Sequence, residues 1–142
     1  MSLRQPAVPR ALGGPTLGGQ AVNPKVFEKG LRDLRQENAS VHWAFLTRDG
    51  VVITQELPEG VHHETFAIMC ATMLGAAHTL NSEFPEGEIE RIVVEAGRYR
   101  VLVVGVDQNT LVAFVVPRNL DVSSLLVYLQ KIKKQADKVE GA

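Results

Sequence analysis

Two neighbouring stretches, residues 99–106 (YRVLVVGV) and 110–116 (TLVAFVV), are apolar at odd and even positions alike. Successive side chains of a strand point to opposite faces of its sheet. Leu102 and Val104 therefore oppose Val101 and Val103. Leu111, Ala113 and Val115 likewise oppose Val112, Phe114 and Val116. Strands apolar on both faces are covered above and below, so this sheet needs helices on both sides. Asp107-Gln108-Asn109 separates the two stretches, short enough for a hairpin, and they run antiparallel.

The rest of the chain supplies three more strands and three helices. Residues 41–47 (VHWAFLT) and 51–56 (VVITQE) are rich in branched and aromatic residues and flank Arg48-Asp49-Gly50, a strong hairpin signal. Residues 89–95 (IERIVVE) turn at Gly97-Arg98 into the first doubly apolar strand. Asn23-Pro24 reads as an N-cap followed by proline at the first helical position. Phe27, Leu31 and Leu34 give that helix its apolar stripe, with Gly30 inside it as a weakening residue. Asp121 can cap a last helix whose stripe is Val122, Leu125, Leu126, Leu129, Ile132 and Ala136. The predicted fold is α+β: a five-stranded antiparallel sheet with helices on both faces, in the order α-β-β-α-β-β-β-α. Residues 1–22 hold three prolines, four glycines and no acid and are expected to be a flexible tail. The domain is expected over residues 23–138, with a short C-terminal end at 139–142.

The middle helix, predicted over about residues 62–82, has two unequal apolar faces. At about 100° per residue, Phe66, Met69, Cys70, Met73, Ala76, Ala77 and Leu80 share one broad side, expected to be the core. Ala67, Ala71 and Gly75 share the other, flanked by Ile68, Leu74 and His78. A face of small, uncharged residues lets another backbone approach, and the expected partner is a second copy of the same helix.

Signals for chemistry are weak. The sequence carries 15 basic and 16 acidic residues, for a net charge of −1, which disfavours a nucleic-acid surface. Cys70 is the single cysteine, so no internal disulfide forms and no oxidising compartment is indicated. No segment approaches the roughly 20 apolar residues of a membrane span, and the N-terminus lacks the apolar stretch of a secretory signal. A cytoplasmic protein is expected. Gly13-Gly14-Pro15-Thr16-Leu17-Gly18-Gly19-Gln20 lacks the lysine of a phosphate loop. His63 and His78 lie about 22 Å apart along one helix and cannot share a metal within one chain, and His62 and His63 at the helix start would need ligands from elsewhere; His42 is the fourth histidine. No nucleophile motif surrounds Ser40, Ser82, Ser123 or Ser124. No catalytic residue, metal or cofactor is expected. The turn residues Arg48, Asp49, Arg98 and Arg118 remain as candidate partner contacts, because a loop arginine can stabilise phosphoryl-transfer charge in trans.

This ordering resembles the roadblock/dynein light chain family, particularly its prokaryotic MglB-like branch. The matching pieces are the hairpin with Asp49-Gly50, the helix from Glu64-Thr65-Phe66-Ala67 to Ala71-Thr72-Met73-Leu74-Gly75-Ala76-Ala77, the strand Ile92-Val93-Val94-Glu95, and the later strands running into Asn119-Leu120. The resemblance spans residues 24–134. It implies a homodimer in which the middle helix packs on its twin and the third strand continues the sheet across the two-fold axis. Ala67, Ile68, Ala71, Leu74, Gly75, His78, Ile92 and Val94 would then line the interface. It further implies a non-catalytic module that regulates or scaffolds a Ras-like small GTPase. The alternatives are an adaptor subunit without a GTPase partner and a small-molecule sensor.

Overall fold

The computed structural model describes residues 21–84 and 87–141. Chain entry is set by Asn23, whose Oδ1 accepts the N–H groups of Lys25 (3.0 Å) and Val26 (3.1 Å). With Pro24 at the first turn, this starts α1 (Pro24–Glu37), which buries Phe27, Leu31 and Leu34. The elements β1 (His42–Thr47), β2 (Val52–Glu56), α2 (His63–Asn81), β3 (Arg91–Ala96), β4 (Tyr99–Gly105), β5 (Thr110–Pro117) and α3 (Val122–Gly141) follow. Asp121 begins α3, accepting the Ser123 N–H and the Ser124 hydroxyl, each at 3.0 Å.

The sheet is antiparallel in the order β2-β1-β5-β4-β3. β5 is therefore central and β4 lies beside it, as their doubly apolar sequences demand. Every residue from Thr110 to Val116 is buried. The edges are β2 and β3. A bulge between the Phe45–Thr54 and Leu46–Val52 pairs leaves Ile53 as the extra residue of β2.

Each face has its own core. On one, α1 and α3 cover Trp43, Phe45, Leu102, Val104, Val112, Phe114 and Val116, with the Phe27 and Phe45 rings 4.9 Å apart. On the other, α2 covers Ala44, Leu46, Val103, Leu111 and Ala113. Gly30 has a packing reason. A Cβ there would lie 2.6 Å from Ile132 Cγ2, so α1 and α3 meet closely at this point.

Three expectations change. The start at Asn23 falls one residue inside the folded part, because Val22 is buried in the core and its N–H donates to Asp107 Oδ2 at 3.0 Å. Residues 1–20, including the glycine-rich segment, lie outside the described residues. The last helix continues past residue 138 to Gly141.

The third change concerns α2. Ala67, Cys70 and Leu74 retain 0%, 1% and 2% of their surface, whereas Ile68, Met69 and Leu80 retain 50%, 51% and 58%. The buried stripe thus runs between the two expected sides: Cys70, Phe66, Met73 and Ala77 of the expected core side and Ala67, Ala71 and Leu74 of the small-residue side turn inward, while Met69, Ala76 and Leu80 of the first and Ile68, Gly75 and His78 of the second are exposed. The cause lies in the sheet: Ala44 and Ala113 beneath the helix are small, so the helix seats through small residues, while Phe66 and Met73 reach the core from its flank.

Candidate interaction surfaces

The outer face of α2 is built from Ile68, Met69, Thr72, Gly75, Ala76, Thr79 and Leu80, all exposed. Two of its polar groups turn back on the helix. The Thr72 hydroxyl donates to the Ile68 carbonyl (2.7 Å) and the Thr79 hydroxyl to the Gly75 carbonyl (3.2 Å). Both donors are used within the helix, so this face offers few free polar groups. A Cβ added at Gly75 would meet nothing within 4 Å. The hairpin between β1 and β2 borders this face. Gly50 has φ +91, and a Cβ there would lie 3.1 Å from the Ile68 Cα, so glycine serves both the turn and the close approach.

Of the residues expected at the interface, Ala67 and Leu74 belong to the protomer's own core and Ala71 packs against it half-buried. Ala67 and Leu74 are therefore not available at the surface. Ile68, Gly75 and His78 are exposed. Ile92 and Val94 lie half-buried on the edge strand β3, and Ile92 packs against the α2-side core. Met69, Ala76 and Leu80, expected in the core, are surface residues. Threonine was the missed signal: Thr65, Thr72 and Thr79 recur every seven residues on the exposed side.

A second cluster joins three loops. Arg48 Nε donates to the carbonyls of Asp107 (3.0 Å) and Thr110 (3.1 Å), and Nη2 to the Asp107 carbonyl (2.6 Å). Its Nη1 lies 3.3 Å from His78 Nε2. Arginine only donates, so His78 Nε2 accepts and the proton sits on Nδ1. Burial lowers the Arg48 pKa, with the Asp107 charge opposing. Burial and then Arg48 lower that of His78, with Glu88 opposing. The Asp107 carboxylate is fully used: Oδ1 accepts Asn109 N, Thr110 N and Thr110 Oγ1, and Oδ2 accepts Val22 N. Arg48 therefore clamps the turn. Asp49 is exposed and accepts the Thr47 hydroxyl.

Arg98 and Arg118 lie together at the opposite end of the sheet. Arg118 N donates to the Arg98 carbonyl at 3.0 Å. The four candidate contact residues thus fall into two separate groups. Among the described residues no cluster of His, Cys, Asp or Glu is arranged to hold a metal. No helix among them is long and apolar enough to cross a membrane. Burial pushes the Cys70 thiol up to about 12.

An antiparallel five-stranded sheet, with two helices on one face and a single helix presenting an apolar outer side on the other, defines a three-layer α+β domain of the roadblock type. The profile of the Roadblock/LC7 domain matches residues 31–115, and the chain belongs to that family. Among solved structures, the gliding protein MglB of Thermus thermophilus is similar, with a TM-score of 0.69 and 16% identity over 91% of this chain and 99% of that one. MglB of Myxococcus xanthus gives 0.71 and 13% over 82% of this chain and 89% of that one. An MglB described in a tetrameric arrangement gives 0.67 and 13% over 86% and 95%. At these identities the likeness is one of fold. No match was found among curated proteins.

Proposed function

We propose that this chain is a non-catalytic homodimeric module that regulates or scaffolds a Ras-like small GTPase. The carrying observation is the outer face of α2, where Ile68, Met69 and Leu80 stand exposed around Gly75 and the threonine hydroxyls are satisfied internally. Leaving that face in water forfeits about 25 cal/mol for each Å² that a partner could cover. Gly75 lets a second helix come close. The free edge of β3 supports the same arrangement, because joining two edges across a two-fold axis closes both. Self-association is also in keeping with the tetrameric arrangement of the MglB cited above.

Membership in the roadblock family supports the partner class. The action is conformational: a dimer surface that prefers one nucleotide state of the GTPase raises that state's population. The test is binding to a Ras-like GTPase loaded with a GTP analogue or with GDP. A difference in affinity supports regulation, and equal affinity leaves scaffolding as the role. Absence of binding in both states removes the GTPase from the proposal.

A further inference from the structure

The β3–β4 hairpin carries a surface of different chemistry. Glu95 receives Arg100 Nη2 at 2.9 Å and Arg118 Nη2 at 3.0 Å. Arg118 Nη1 also donates to the Gly97 carbonyl at 3.4 Å. Register explains the grouping. Glu95 pairs with Arg100 and Arg100 with Val116, and Arg118 lies just past the end of β5, held there by its N–H bond to the Arg98 carbonyl. Arg98 sits in the turn between them with its side chain exposed, and Tyr99 beside it is also exposed. Among the described residues, Arg100 Nε is buried without an acceptor. Two guanidinium groups thus share one carboxylate and a third stands exposed in the adjoining turn, which leaves an excess of positive charge at this corner of a chain whose net charge is −1.

We propose that this corner docks a carboxylate-rich segment of a partner protein. Guanidinium forks match carboxylates in shape and charge. Arginine and tyrosine are the side chains that most often carry binding energy at protein interfaces. Glu95 holds Arg100 and Arg118 in place beforehand, so little side-chain freedom remains to be lost when a partner arrives. The patch is small and the rest of the surface mixed in sign, which suits a short acidic segment better than a long polyanion. None of this depends on the GTPase reading.

The probe is a fluorescein-labelled octaglutamate peptide titrated into the full chain at low salt and followed by anisotropy. Saturable binding that weakens as salt rises is expected. Arg98→Glu with Arg118→Glu should raise Kd by about tenfold or more. Lys131→Glu with Lys134→Glu, both exposed on α3, should leave it within about twofold. Because charge reversal can disturb folding, Arg98→Gln alone, at an exposed turn, should weaken binding with its melting temperature unchanged. Peptide should also shift the Arg100 Nε–Hε resonance. No saturable binding, or equal losses in the α3 variant, overturns the proposal.

Discussion

Arg48 sits at a turn, where sequence suggests an exposed contact, yet its guanidinium points inward onto the Asp107 and Thr110 carbonyls. Those acceptors belong to a distant loop, so no local pattern in the sequence could reveal them. The pairing with His78 predicts a pH effect. His78 titrates below its ordinary value in the fold, so the unfolded chain takes up the proton first. This contribution to stability is present above about pH 6.5 and is lost as pH falls through the folded value. His78→Gln keeps an acceptor that does not titrate. Between about pH 7.5 and pH 5.5 the urea midpoint of the wild type should fall further than that of the variant, and parallel falls would exclude His78 as the cause. Cys70 gives a second prediction at this scale. With its thiol pushed up to about 12, labelling by a disulfide reagent near pH 8 should be at least about 1000-fold slower in the native protein than in denaturant. Fast native labelling would show that the thiol is not held in the core.

The number, order and type of elements were readable because β4 and β5 are apolar on both faces, and because Asp49-Gly50, Gly97-Arg98 and Asp107-Gln108-Asn109 punctuate the strands. The orientation of α2 was not. Both its sides are apolar, and the buried stripe draws on each, which requires knowing that Ala44 and Ala113 lie beneath it. Gly30 is the other instance. In the sequence it only weakens a helix, while in the fold it admits Ile132. Gly30→Ala gains about 1 kcal/mol of helix propensity but forces a Cβ against Ile132, an overpacking that costs about 1–3 kcal/mol. Net destabilisation is expected in chemical denaturation. Combining it with Ile132→Ala, which opens the contact, should give a loss smaller than the sum of the two single losses. Strict additivity would show that the two side chains do not compete for space.

For the whole molecule, the β3 edge was legible, but the centre of the proposed interface moves from Ala67 and Leu74 to Met69, Gly75 and Leu80. If the proposed dimer forms through this face, Met69→Glu with Leu80→Glu should shift it toward monomer in sedimentation, while protomer stability, read at matched monomeric concentration, changes by about 0.5 kcal/mol or less for each exposed site. Ala67→Glu, by contrast, should unfold the protomer, since it places a charge in the core. A dimer that persists in the double variant places its contact elsewhere. The strand order also governs how the chain acquires its shape during synthesis. β1 is flanked by β2 and β5, and β5 leaves the ribosome only after α2, β3 and β4. The early hairpin must therefore wait with the β5-facing edge of β1 unpaired and only α1 made to pack on it, because two strands alone are marginal in water. Folding is thus expected to be slow and late for a protein of this size, completed when the central strand slots between its two neighbours.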